Sequence, residues 1–142
     1  MSTERGRILS LSEIEAANAT CAGPGPAELA LAVRQFNDGD YFECHETLED
    51  LWRAERGPVR RLYQGILHIA VGLYHLRRDN RHGALVKLRS GLGYLAPFPD
   101  HCHGLDLAGL RASTAANLAA LETLTGDDAF DWSRAPYLTR TS

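Results

Sequence analysis

A chain of 142 residues, 44% hydrophobic and 23% charged, has the make-up of a single domain able to bury one core. Its net charge of −3, with Arg and Glu spread along its length, excludes a nucleic-acid footprint. The longest apolar-rich stretch, Ile66 to Leu76, holds two histidines and is too short to span a bilayer. The three cysteines, Cys21, Cys44 and Cys102, are widely spaced and form no CxxC pair. They support neither a zinc knuckle nor a disulfide framework, and with no apolar signal-peptide core after Met1 to Arg7 a reducing cytoplasm is expected.

Helical signals run through the whole chain. Ser12-Glu13-Ile14-Glu15 resembles a capping box opening a short first helix, which Gly23-Pro24-Gly25-Pro26 ends. Ala27 to Asn37 forms a second helix with Leu29, Leu31, Ala32, Val33 and Phe36 on its apolar side. Gly39 supplies a turn, and Asp40, with Glu43 three residues on, caps a third helix. On that helix Tyr41, Cys44, Leu48, Leu51 and Trp52 share a face, with Phe42 at its margin. His45 and Glu49 fall inside the same arc, so they are expected to be buried and to need partners. Cys44 reads as a small core residue.

Gly57-Pro58 breaks the chain, and Pro58 to Arg78 follows as a helix apolar almost all round, the pattern of a central helix. Gln64, His68 and His75 make a narrow polar stripe on it. Two polar stripes on neighbouring helices most simply face each other, with Glu49 bonded to a histidine or to Gln64. Asp79-Asn80 closes this helix, and Arg81 to Leu95 forms the next, until Pro97 and Pro99 stop it. His101-Cys102-His103 lies in an exposed loop before a last helix, Asp106 to Thr125, closed by Gly126. The tail from Phe130 to Tyr137 carries too many aromatic side chains for water and is expected to dock.

The turns at Asn37-Asp38-Gly39-Asp40 and Arg78-Asp79-Asn80-Arg81 recur about 41 residues apart, each joining two antiparallel helices. The expected fold is therefore all-α: a compact bundle of five to six antiparallel helices with tetratricopeptide-like hairpins. An N-terminal extension (1–26) precedes the bundle domain (27–125), and a C-terminal tail (126–142) packs on it.

Phe36-Asn37-x-Gly39-x-Tyr41-Phe42-Glu43-x-His45-Glu46-x-Leu48-Glu49-x-x-Trp52 resembles the signature of domain-of-unknown-function family 309. Gln64-Gly65-x-x-x-x-Ala70-x-Gly72-Leu73-Tyr74-His75 and Asn80-x-x-Gly83-Ala84-x-x-Leu88, followed by Gly91-Leu92, match later segments of that family. The resemblance covers about Ala27 to Leu95. It implies an all-α fold and no assigned activity.

Two functional readings compete. In the first, His45, Glu49, Gln64, His68, His75 and Trp52 form a buried polar network that fixes helix register, in a non-enzymatic protein that meets a protein partner or a second copy of itself. In the second, His45, Glu49, His68 and His75 bind a divalent cation (Zn, Mn or Fe) in a hydrolase-like enzyme, with Glu46 as the candidate general base. His45-Glu46-x-x-Glu49 is not the metalloprotease His-Glu-x-x-His, since Glu49 replaces its second histidine. Nor does it match the di-iron Glu-x-x-His pattern, because Glu43 meets Glu46, and Glu46 meets Glu49, at that spacing. His101-Cys102-His103 could also collect a metal, against its simpler reading as a surface loop.

Overall fold

A computed structural model describes residues 10–125 and 128–140, so the expected helix stop at Gly126 lies outside the described residues. Helices α1 (Leu11–Thr20), α2 (Ala27–Asp38), α3 (Tyr41–Ala54), α4 (Arg60–Arg77) and α5 (Arg81–Leu95) come first. A short hairpin of β1 (His101–Cys102) and β2 (Leu105–Asp106), then α6 (Leu107–Thr123) and a 3-10 turn at Trp132–Arg134, complete the order. The all-α reading holds, and the helices pack in series: α2 on α3, α3 on α4, α4 on α5 and α5 on α6.

The apolar spacing explains that order. Leu29, Ala32, Val33 and Phe36 recur at helical intervals and are buried, as are Tyr41, Cys44, Leu48 and Leu51 on α3. Helix α4 buries residues on several sides, among them Leu62, Ile66, Ile69 and Leu73, because α3 and α5 both lie against it. Where α4 meets α5, a Cβ on Gly91 would stand 2.9 Å from the Gly65 carbonyl oxygen and 2.6 Å from the Ile69 side chain, so the two backbones approach closely there.

The α2–α3 and α4–α5 turns are built alike. Gly39 takes φ 81°, its N–H bonds the Phe36 carbonyl, and the Asp40 N–H reaches back to Gln35 at 2.9 Å. At the second turn Asp79 takes φ 59°, its N–H bonds Leu76, and the Asn80 N–H reaches back to His75 at 2.8 Å. The caps differ from expectation at α1 and α3. Ser10, not Ser12, caps α1 by accepting from the Glu13 N–H, and Asp40 makes no side-chain cap bond to α3. Asn80 does cap α5, accepting from Gly83 at 2.9 Å.

His101-Cys102-His103 is not an exposed loop. Residues 101–106 pair as an antiparallel hairpin whose two turn residues, His103 and Gly104, both have positive φ (50° and 78°), the backbone of a type I′ turn. His103 and Cys102 are buried and only His101 faces water. The cysteine reading is corrected as well: Cys21 and Cys102, 81 residues apart, form a disulfide. The His103 N–H donates to the Cys21 carbonyl at 2.9 Å, and His103 Nδ1 lies 3.2 Å from the Gly23 carbonyl, so the Gly-Pro linker is pinned to the hairpin. Closing so long a loop restricts the unfolded chain by about 4 kcal/mol on the chain-entropy estimate.

The tail docks through its backbone. The Asn37 side chain donates to the Leu138 carbonyl and accepts from its N–H, both at 2.8 Å, and the Asp106 N–H donates to Thr139 at 2.9 Å. Leu138 is buried. Trp132 lies partly over Tyr41, and the Arg77 guanidinium stands 4.9 Å from each of those two rings while donating to the Gly39 carbonyl. Tyr137, expected to dock, stays 62% exposed.

Candidate functional site

Helix α3 presents one face to the core and another, edged by α4, to water. Tyr41, Cys44 and Leu48 point inward. Burial pushes the Cys44 thiol up to about 12 and its Sγ–H donates to the Ala32 carbonyl, so it is an inert core group, as its position implies. On the other face lie Phe42, His45, Glu46 and Glu49. Phe42 is 47% exposed, Glu46 is exposed, and His45 and Glu49 keep 29% and 34% of their side-chain surface. The buried placement expected for His45 and Glu49 is therefore corrected to a half-open one. The helical wheel fixes the direction of these side chains, but none of the described residues packs over them closely enough to seal them.

The two polar stripes do not close into one hydrogen-bonded network. Glu49 Oε2 lies 3.5 Å from His45 Nε2 one turn back, and Glu49 Oε1 pairs with Arg53 at 2.8 Å, both within α3. Among the described residues Glu49 makes no bond to Gln64, His68 or His75. Gln64 is half-buried without a side-chain bond. His75 Nδ1 sits 3.4 Å from the Asn80 amide at its own helix end. His68 turns toward α5, edge-on to Tyr94 with ring centroids 5.0 Å apart. Burial, assisted by Lys87, pushes the His68 imidazole down to about 4, so it is neutral at pH 7. Trp52, expected deep in the core, is half-buried beneath the Arg60 guanidinium at 4.2 Å. Among the described residues the inward nitrogens His45 Nδ1, His68 Nδ1 and Trp52 Nε1 have no hydrogen-bond partner.

Nor do the residues fit a metal. Among the described residues no three His, Cys, Asp or Glu side chains converge as ligands. His45, Glu49, His68 and His75 are divided: His68 faces α5, Glu49 is engaged by Arg53, and only His45 and His75 come to a common place. Glu46, the candidate base, stands in solvent with no bond to any of them.

That common place is a small cleft between α3 and α4. Tyr41, Phe42, His45, Val71, Tyr74 and His75 line about 160 Å³, with an almost wholly apolar accessible wall. Phe42 and Tyr74 meet at 5.7 Å with their planes tilted 46°, and Phe42 and His45 at 5.9 Å. Glu43 and Glu46 stand exposed along the outer side of α3, on the same helix as the cleft wall. The cleft suits one apolar side chain. Phe42 and Tyr74 are the members that sequence reasoning passed over. The available signal was Phe42 at the margin of the core arc, a position where an aromatic ring is only half covered.

Residues 29–86, which span most of α2, all of α3 and α4 and the opening of α5, match the family described as a domain of unknown function (DUF309). The "Uncharacterized protein YpuF" of Bacillus subtilis (strain 168) is 50% identical over 46 residues, 32% of this chain and 26% of that protein. An "Uncharacterized protein" of Aquifex aeolicus (strain VF5) is 27% identical over 78 residues, 54% of this chain and 23% of that protein. The chain thus spans about a quarter of the length of these relatives. The family has no known function, and neither name carries an activity.

Proposed function

We propose that this chain is a non-enzymatic helical module that binds a protein partner through the α3–α4 face. One observation carries the reading: two signature residues that the core does not use, Phe42 and His45, gather beside Tyr74 and His75 around a solvent-open apolar cleft. A half-exposed aromatic at such a cleft is the usual make-up of an interface anchor site. The exposed carboxylates Glu43 and Glu46 favour a partner whose apolar anchor is flanked by basic groups. The hydrolase reading has no comparable support, since its ligands are not brought together.

For location, none of the described helices is long and apolar enough to cross a membrane. The expectation of a reducing cytoplasm rests on unpaired cysteines and on the polar run from Met1 to Arg7. The Cys21–Cys102 bond removes the first support, and an oxidising compartment suits the bond better.

The test is a photo-crosslinking amino acid placed at position 46, one helical turn from Phe42 at the cleft, and in parallel at position 112, on the exposed side of α6 away from it. A discrete adduct from position 46 and none from position 112 is expected. The mass of the adduct tells a second copy from another protein. Equal adducts from both positions, or none from position 46, would contradict the reading.

A further inference from the structure

We propose a second binding site, separate from the α3–α4 cleft, at the loop that joins those two helices: a pocket for a small phosphorylated ligand held by Arg53, Arg56 and Arg60. The hollow there measures about 350 Å³ and is lined by these three arginines and Glu55, three positive charges against one negative on a chain whose net charge is −3. Charge of the opposite sign to the molecule as a whole is therefore concentrated in one concave place.

The side chains are arranged to receive an anion. The Arg60 guanidinium carbon stands over the Trp52 ring, 4.2 Å from its centroid, and its Nε–H donates to the Trp52 carbonyl at 3.1 Å. Those two contacts hold the group in place and, among the described residues, leave both Nη atoms without a hydrogen-bond partner, so the fork is held ready for two oxygens of one phosphate. A group already held in place loses little freedom on binding. The one carboxylate in the hollow does not neutralise it. Glu55 accepts from the Gly57 N–H at 2.8 Å, closing the loop, and pairs with none of the three arginines. Arg53 is steadied by Glu49 at 2.8 Å, and Arg56 is exposed and engages no other described residue.

The helix that starts here adds to the imbalance. The first turn of α4 has no acidic residue and opens on Arg60, placing its positive side chain at the positive end of the helix dipole. An oxyanion between the arginines would offset that repulsion as well as pairing the guanidinium groups. Room beyond a single phosphate leaves space for the group that carries it. This fits a phosphomonoester or diphosphate of a small molecule.

Pyrophosphate and sulfate, titrated separately into the whole protein and followed by backbone and arginine side-chain NMR, test the proposal. Pyrophosphate should give saturable shifts confined to residues 53–60. Arg56→Ala should weaken binding about tenfold or more. Because Arg56 is exposed and makes no hydrogen bond or ion pair with another described residue, that variant should keep its melting temperature and isolate the charge. Arg60→Lys should weaken binding as well, since an ammonium keeps the charge and loses the fork. An absence of saturable shifts at millimolar pyrophosphate would overturn the site. So would unchanged affinity in Arg56→Ala, or equal affinity for sulfate and pyrophosphate.

Discussion

The two faces of α3 belong to one signature and do different work. Inward, Tyr41, Cys44, Leu48 and Leu51 are between 0% and 7% exposed and hold α2 and α4 together. Outward, Phe42, His45, Glu46 and Glu49 hold nothing of comparable size, and one of them is a large aromatic in water. A fold needs only the first set. The second set carries less of the packing, and the proposal of a partner rests on it.

The largest expected effect lies on the inward face. Leu48 is wholly buried, so Leu48→Ala should cost about 2–5 kcal/mol by leaving a cavity, read as a shift in the urea midpoint. A cost under about 1 kcal/mol would mean that the inward face is loosely packed and the contrast with the outer one is false.

His68 falls between the two classes, polar yet half-buried, and sharpens the boundary. Its folded-state value near 4 lies below the ordinary 6.5. The unfolded chain therefore takes up the proton first as pH falls. The contribution is complete above about pH 6.5 and is lost on acidification toward pH 4, reaching at most about 2 kcal/mol by pH 5. Urea titrations at pH 7 and pH 5 should show this loss in the native chain and a smaller one in His68→Gln. The same loss in both would place the acid sensitivity elsewhere.

The Gly39 turn precedes α3 and sets where both faces begin. With φ 81°, Gly39→Ala should cost about 1 kcal/mol, whereas Asp79 already bears the same strain at the sister turn, so Asp79→Gly should be neutral or stabilising. Thermal melts of both variants check the pair. An unmoved melting temperature in Gly39→Ala would show that the turn relaxes. The smallest effect is expected outside: Phe42→Ala should change stability by less than about 0.5 kcal/mol in the same denaturation assay.

Much of this was legible in residue spacing. The all-round apolar pattern of α4 marks it as the helix flanked on two sides, and Gly39 marks a left-handed turn because few other residues enter that region at low cost. What spacing lacks is depth. It places His45 and Glu49 in the right direction on α3, and only the packing of neighbours shows that the edge is open. Phe42 was half legible, at the margin of the arc, while its meeting with Tyr74 depends on the α3–α4 crossing. The hairpin escaped notice because His103 stands where Asn, Asp or Gly would have marked a type I′ turn. The Cys21–Cys102 bond escaped because pairing across 81 residues depends on where the chain returns, not on cysteine count.

The separation of the two faces can be measured on one protein. With the photo-crosslinker at position 46, adduct yield is compared between the native background and Phe42→Ala, after denaturation has shown the two equally stable. The expected result is a severalfold loss of adduct with stability unchanged. An adduct of the same mass and yield in both backgrounds would contradict the assignment of the α3–α4 face as the partner-binding surface.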